Sequence, residues 1–93
     1  MPKTNHLLSF ATDNDGQLFI HADIAGVDCL IRSLTHLRQH LNEGVCEHDH
    51  FMTESWGGSG LTEQTLGKGV QTIHHVKIYG WTPEWVHKHG LSA

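Results

Sequence analysis

The segment from residue 24 to residue 43 constrains the fold most, because its apolar side chains follow a helical repeat. Five of them recur at intervals of three, four, three and seven residues: Ile24, Val27, Ile31, Leu34 and Leu41. This spacing places side chains on one face of an α-helix, and Leu30 and Leu37 widen that face. This apolar stripe consists of Ile24, Val27, Leu30, Ile31, Leu34, Leu37 and Leu41, and the opposite face carries Arg32, Thr35, Arg38 and Gln39. Asp23 is a suitable N-cap because its carboxylate accepts first-turn N–H groups. Gly44 suits the C′ position because it adopts positive φ without strain.

The segments on either side of this helix alternate with the two-residue period of β-strands. A hairpin is predicted first, because residues 7–11 and 17–23 flank the turn sequence Asp13-Asn14-Asp15-Gly16. After the helix, strands are predicted at 45–53, 61–66 and 70–81, with loops at 56–60 and 67–69 and a helical turn at 83–90. The order β-β-α-β-β-β predicts an α+β fold, with one amphipathic helix packed on a mostly antiparallel sheet of four to five strands. The 93 residues are enough for a single domain, 1–93.

Charge and hydropathy argue against two classes of partner. The formal charge is −4 with histidine neutral, and the six Lys and Arg residues are scattered singly. Nucleic-acid binding by phosphate neutralisation is therefore disfavoured. No segment approaches the roughly 18 apolar residues of a membrane span, and residues 1–6 lack the apolar run of a secretory signal. We therefore expect a cytoplasmic protein in which Cys29 and Cys46 stay reduced.

The densest group of potential metal ligands is Glu47-His48-Asp49-His50. On a strand, His48 and His50 point to the same face, and either His74 or His75 would supply a third imidazole from the long C-terminal strand. Three imidazoles with an open fourth position are typical of catalytic zinc. However, the chain contains neither H-E-x-x-H nor C-x-x-C. A zinc protein or small metalloenzyme using His48, His50 and His74 or His75 is therefore the alternative, and a structural or interaction role for these histidines is favoured.

The tryptophans lie at or beyond the ends of the predicted strands. Trp56 falls in a glycine-rich loop, and Trp81 and Trp85 flank Thr82-Pro83-Glu84. Exposed tryptophans beside charged residues are typical of interface anchors. They are equally compatible with rings that cover the open face of a small sheet, so both interpretations stand.

Two segments in the second half of the chain carry a family resemblance. His48-Asp49-His50 leads into Phe51-Met52-Thr53-Glu54-Ser55-Trp56-Gly57-Gly58, followed by Leu61-Thr62, and residues 73–79 read Ile-His-His-Val-Lys-Ile-Tyr. Together they resemble the immunity protein 32 family of bacterial polymorphic-toxin systems. That family has a histidine-bearing strand before Met-Thr-x-Ser-Trp-Gly-Gly and a later His-His pair. The resemblance implies a cytoplasmic bacterial protein that binds and neutralises a cognate toxin.

The predicted binding surface combines this resemblance with the interface composition. Buried aromatic anchors ringed by polar groups carry most of the affinity in protein complexes. The predicted partner-binding residues are Glu47, His48, Asp49, His50, Glu54, Trp56, His74, His75, Tyr79 and Trp81. The carboxylates among them would steer a basic toxin towards the surface. No catalytic residue and no cofactor is predicted, and pairing of a sheet edge leaves a homodimer open.

Overall fold

A computed structural model describes residues 6–63 and 67–91. The elements in chain order are β1 (Leu8–Thr12), β2 (Leu18–Ala22), α1 (Ile24–Asn42), β3 (Glu47–Met52), a 3-10 turn (Glu54–Trp56), β4 (Gln71–Thr72), β5 (His75–Gly80) and α2 (Pro83–Lys88). The α+β class and the order β-β-α-β of the first four predicted elements are confirmed. The five strands do not form one sheet: a three-stranded sheet has the order β2-β1-β4, and β3 pairs with β5 in a second, antiparallel sheet.

The predicted hairpin forms β1 and β2, and side-chain hydrogen bonds fix its turn. The backbone N–H groups of Asp15 and Gln17 donate to Asp13 Oδ1 over 2.9 and 3.0 Å. Gly16 takes a φ of 83°, a conformation that other residues rarely adopt. The register places Phe10 opposite Ile20, so these side chains share the sheet face that carries the core.

Helix α1 begins and ends where the sequence predicts. The Asp23 side chain accepts a hydrogen bond from the Gly26 N–H over 2.8 Å. This hydrogen bond from Gly26 is the largest cause that lowers the pKa of Asp23. The Leu7 N–H donates to the same carboxylate over 3.0 Å and lowers the pKa further. At the other end, the Gly44 N–H donates to the Leu41 carbonyl, and Gly44 has a φ of 81°. Both caps therefore satisfy backbone groups that a helix end would otherwise leave unpaired.

The face that α1 turns towards the sheets coincides with only part of the predicted apolar stripe, since Leu37 is buried and Leu30 packs against the core. Its buried residues are Gly26, Ser33 and Leu37. Four members of the stripe are 44–83% exposed: Ile24, Val27, Ile31 and Leu34. The physical reason is close approach, since a Cβ at Gly26 would overlap the Leu7 carbonyl oxygen. The small residues Gly26 and Ser33 let the helix lie close to the sheets. In this orientation the four exposed aliphatic residues lie on one flank of the helix.

The predicted strand at 70–81 is wrong as a single element, because the chain changes sheets at its centre. The Ile73 N–H donates to the Phe10 carbonyl in the first sheet, whereas the His74 carbonyl accepts from the Thr53 N–H beside the second. The break separates β4 from β5. The strand predicted at 61–66 is also not found in its described part. Leu61 makes only an isolated parallel bridge with Thr53, and residues 64–66 lie outside the described residues.

The core lies between α1 and both sheets. Leu8, Phe10 and Leu61 are buried at its centre. The partly buried residues packed against them are Ala22, Cys29, Leu30, Phe51, Ile73 and Val76. Since these come from both sheets and from the helix, one core joins all the main elements. Within the described ranges, no helix is both long enough and apolar enough to cross a bilayer.

Candidate functional site

The pairing of β3 with β5 decides which side chains meet on the outer face of the second sheet. The register sets His48 opposite Tyr79, His50 opposite Lys77 and Met52 opposite His75. Directly opposite residues point to the same side, so the histidines of β3 and the aromatic residues of β5 share one surface. Lys77 lies among them, with its Nζ 5.9 Å from the centroid of the Tyr79 ring.

A continuous series of ring contacts crosses this face, and we call it the aromatic ridge. Its nine members, in spatial order, are His74, Trp56, His75, His50, His48, Tyr79, Trp81, Trp85 and His89. Successive ring centroids lie between 4.0 and 6.2 Å apart, the range in which aromatic pairs attract each other. At its centre, the His48 and Tyr79 rings stack at 5.5 Å, and the His50 Nδ1 lies 3.2 Å from the His75 Nε2.

Hydrogen bonds made by Thr53 and Ser55 hold the end of the ridge that His74 and Trp56 form. Trp56 lies in the 3-10 turn, and its ring stacks on His74 at 5.8 Å with an interplanar angle of 5°. His74 is held by a 2.7 Å hydrogen bond between its Nδ1 and the hydroxyl of buried Thr53. The Ser55 N–H donates to Glu63 Oε1, and hydrogen bonds from Ser55 lower the pKa of the Glu63 carboxyl group. The Trp56 ring is therefore held in place although 58% of the residue is exposed.

Helix α2 forms the second end of the ridge. The hydroxyl of Thr82 accepts a hydrogen bond from the Trp85 N–H, which caps the helix. The Trp85 ring then stacks between Trp81 and His89, at 4.0 Å from each. The predicted site omitted Trp85 and His89. Their i, i+4 spacing after Pro83 is a signal that would have placed both rings on one side of a helix.

Two of the predicted acidic members start from the other face of β3. Because side chains alternate along β3, Glu47 and Asp49 extend towards α1, although Glu47 Oε1 also lies 3.7 Å from the Nδ1 of His48. Asp49 Oδ2 accepts a hydrogen bond from the Ser33 hydroxyl over 2.5 Å. Glu54 lies in the exposed turn that carries Trp56. Of the ten predicted residues, the ridge thus contains His48, His50, Trp56, His74, His75, Tyr79 and Trp81.

The structure also shows which potential metal ligands converge. Among the residues described, the group of three donor atoms within 4.8 Å of one another comes from His36, His40 and Glu47. His48, His50 and His74 do not form such a group. The sequence interpretation missed the first group, although the i, i+4 spacing of two histidines on a predicted helix was visible.

The ridge presents imidazole, indole and phenol groups held by backbone pairing and helix caps. Such rings offer apolar faces for packing and polar edges for hydrogen bonding. An array of this kind can recognise another molecule by packing and hydrogen bonding, and two carboxylates border it: Glu47 Oε1 lies 3.7 Å from His48 Nδ1, and His74 is among the groups that lower the pKa of Glu63. No protein-family model matches the chain, and no curated protein or solved structure matches it significantly.

Proposed function

We propose that this protein is an immunity protein that binds a cognate bacterial toxin through the aromatic ridge and thereby neutralises it. The observation that carries the proposal is the ridge itself. Trp56, Tyr79 and Trp81 are 58, 49 and 39% exposed, and this exposure of large aromatic rings is unusual outside interaction sites. Tryptophan and tyrosine are enriched among the residues that dominate binding energy.

The rigidity of the ridge favours tight binding. Ordering a side chain at an interface costs about 0.5–1.5 kcal/mol for each flexible residue. In the ridge, neighbouring rings already restrict one another, and Thr53 holds His74 by a hydrogen bond. Most of the ordering cost therefore falls on folding and not on binding, which is the usual basis of preorganised inhibitors.

The charge of the chain favours a basic partner. A net charge of −4 attracts a cationic protein. The exposed ring faces offer cation–π contacts to Arg and Lys side chains, as Lys77 already makes with Tyr79. The resemblance of residues 48–58 and 73–79 to the immunity protein 32 family supports a toxin as that partner.

Co-expression with the product of the adjacent toxin-candidate gene tests the proposal. We expect rescue of host growth and co-purification of a stable complex. Trp56→Ala and Trp81→Ala should each weaken binding by at least about 30-fold, the loss of a strong anchor. Thr35→Ala is the control, because Thr35 is exposed on α1, away from the ridge.

Two results would contradict this proposal at different points. A toxic adjacent product that neither binds nor is neutralised excludes the immunity function. A complex of unchanged affinity with both tryptophan variants keeps the function but removes the ridge as the binding surface. Circular dichroism of each variant establishes that its fold is intact.

A further inference from the structure

Three side chains from two elements converge on the side of β3 that faces the helix. His36 and His40 are four residues apart on α1, which places both imidazoles on one helix face. Their ring centroids are 4.4 Å apart. Glu47 reaches them from the start of β3, with its Oε2 3.7 Å from the His40 Nε2.

Existing hydrogen bonds already orient two of the three donors. The Nδ1 of His40 lies 3.0 Å from the carbonyl oxygen of His36. Since a carbonyl only accepts, this nitrogen carries the proton, and the Nε2 lone pair of the neutral ring points towards Glu47. Glu47 Oε1 accepts the N–H of His48 over 3.0 Å, which leaves Oε2 facing the histidines. Support of this kind, in which a ligand's second polar atom is hydrogen bonded, is typical of metal sites.

We propose that His36, His40 and Glu47 bind one divalent transition-metal ion, with zinc as the ion of best fit. Two imidazoles and a carboxylate are a common set of zinc ligands, whereas magnesium and calcium prefer oxygen alone. Zinc with ligands at about 2.0–2.1 Å requires donor atoms roughly 3.3 Å apart. The donors here lie within 4.8 Å, so small rotations of partly exposed side chains complete the site.

Glu47 is the carboxylate ligand of the set, and the His48 N–H already holds its Oε1. The ion would join the last turns of α1 to the first residue of β3, leaving a fourth position for water on the exposed side of His36. It would lie on the α1 side of β3 and adjoin the ridge without sharing a ligand with it, since Glu47 Oε1 is 3.7 Å from the Nδ1 of His48.

Zinc titration of protein without a histidine tag tests this site. We expect calorimetry to give one zinc per chain, and the melting temperature to rise on zinc addition. His36→Ala and Glu47→Gln should each weaken zinc binding by at least about 10- to 100-fold, the loss that removing a residue that only supports a ligand already causes. Glutamine keeps an oxygen that accepts the His48 N–H, so Glu47→Gln removes the charge and not the local fold. The tetrahedral absorption spectrum of the cobalt-substituted protein provides a second measurement.

Two histidine substitutions serve as controls. His87→Ala removes an exposed imidazole on α2, outside the group, and His75→Ala removes the close His50–His75 pair. Both variants should bind zinc like the unmodified protein. Absence of zinc binding overturns the proposal. So does wild-type affinity in His36→Ala or Glu47→Gln, or loss of binding in His75→Ala alone.

A second, independent observation concerns the exposed flank of α1 and the free edge of β2. Within the described residues, β2 pairs only with β1 and is an edge strand. It contains no lysine, glutamate, aspartate or proline, the residues that usually protect such an edge. Six aliphatic residues of β2 and α1 are 44–83% exposed: Leu18, Ile20, Ile24, Val27, Ile31 and Leu34. An apolar flank of this kind beside an unpaired strand edge is typical of interaction sites.

The occupant that we infer for this flank is a second copy of the chain, paired β2 to β2 across a two-fold axis. Helix α1 contacts β3 through Ser33 and His40. These two residues lie on the side of the helix roughly opposite Val27 and Ile31. An antiparallel β2–β2 pair would extend the sheet to six strands and place both α1 helices on the same face. The aliphatic flanks of the two helices would then meet above the β2–β2 pair, so that each copy covers exposed apolar side chains of the other.

Light scattering over a range of protein concentrations tests the dimer. We expect twice the monomer mass, and Ile20→Lys should return the protein to a monomer because a lysine in an edge strand blocks pairing. Tyr79→Lys is the matched control, since Ile20 and Tyr79 are both 49% exposed. A monomer at every concentration, or a dimer that only Tyr79→Lys disrupts, would overturn the assignment.

Discussion

Replacement of Gly26 by alanine tests how closely the first turn of α1 packs on the hairpin. On helix propensity alone, the change should stabilise the protein by up to about 1 kcal/mol. The structure predicts the opposite sign, because a Cβ at this position would overlap the Leu7 carbonyl oxygen and lie 3.2 Å from the Ala22 Cβ. The overlapping atom belongs to the backbone, so no side-chain rotation relieves it.

The expected loss in the free energy of unfolding follows from the displacement of the Leu7 carbonyl group. The Leu7 carbonyl accepts the Asp23 N–H over 3.1 Å, so displacing it also weakens this hydrogen bond, worth about 1 kcal/mol. Overpacking of a closed contact costs about 1–3 kcal/mol. After subtraction of the propensity gain, we expect a net loss of about 2 kcal/mol in the free energy of unfolding. In a domain of this size that lowers the melting temperature by roughly 10 °C.

Urea unfolding followed by circular dichroism measures this difference, and Ala25→Gly provides the matched control. Ala25 is the exposed neighbour of Gly26 in the same turn, so Ala25→Gly should cost at most about 1 kcal/mol, through propensity alone. If Gly26→Ala is as stable as the unmodified protein or more stable, α1 does not approach Leu7 as described and our reasoning about the buried helix face is wrong.

Three further predictions concern stability. Leu37→Ala should cost about 2–5 kcal/mol in the free energy of unfolding by creating a cavity. Thr35→Ala, at an exposed position of the same helix, should cost less than about 1 kcal/mol. Urea unfolding measures both, and equal losses would contradict the assigned helix face. Ser33→Ala should cost about 1 kcal/mol by removing the donor to Asp49, and the loss should disappear in an Asp49→Ala background, which has no acceptor. Because folding lowers the pKa of Asp23, its contribution to stability is present above the unfolded value near 3.8 and is lost as pH falls through the folded value. Asp23→Asn should therefore flatten the decline of melting temperature below about pH 4, and an unchanged pH profile would refute this.

Local signals were sufficient for the elements whose bounds depend on neighbours in sequence. The turn at Asp13–Gly16 and the caps of α1 at Asp23 and Gly44 were predicted because their hydrogen bonds span only a few residues. The shared face of His48 and His50 was predicted for the same reason, since alternation along one strand needs no partner.

Long-range packing decided the features that the sequence did not reveal. Alternation from Val70 to Trp81 is continuous, and it contains no sign that hydrogen bonds change from β1 to β3 between Thr72 and His75. The buried face of α1 was missed because hydrophobicity ranks Ile31 above Gly26 and Ser33. The contacts with Leu7 and Asp49 that bury these small residues come from distant segments.

The alternation of side chains along β3 assigns different tasks to its two faces. Glu47 and Asp49 face α1, where they meet His40 and Ser33, while His48 faces outward and stacks on Tyr79. A shift of one residue in the pairing with β5 would exchange the two sets and place carboxylates among the aromatic rings. The Ser33–Asp49 hydrogen bond is satisfied in only one register, so this polar pair specifies the alignment on which the exposed ridge depends.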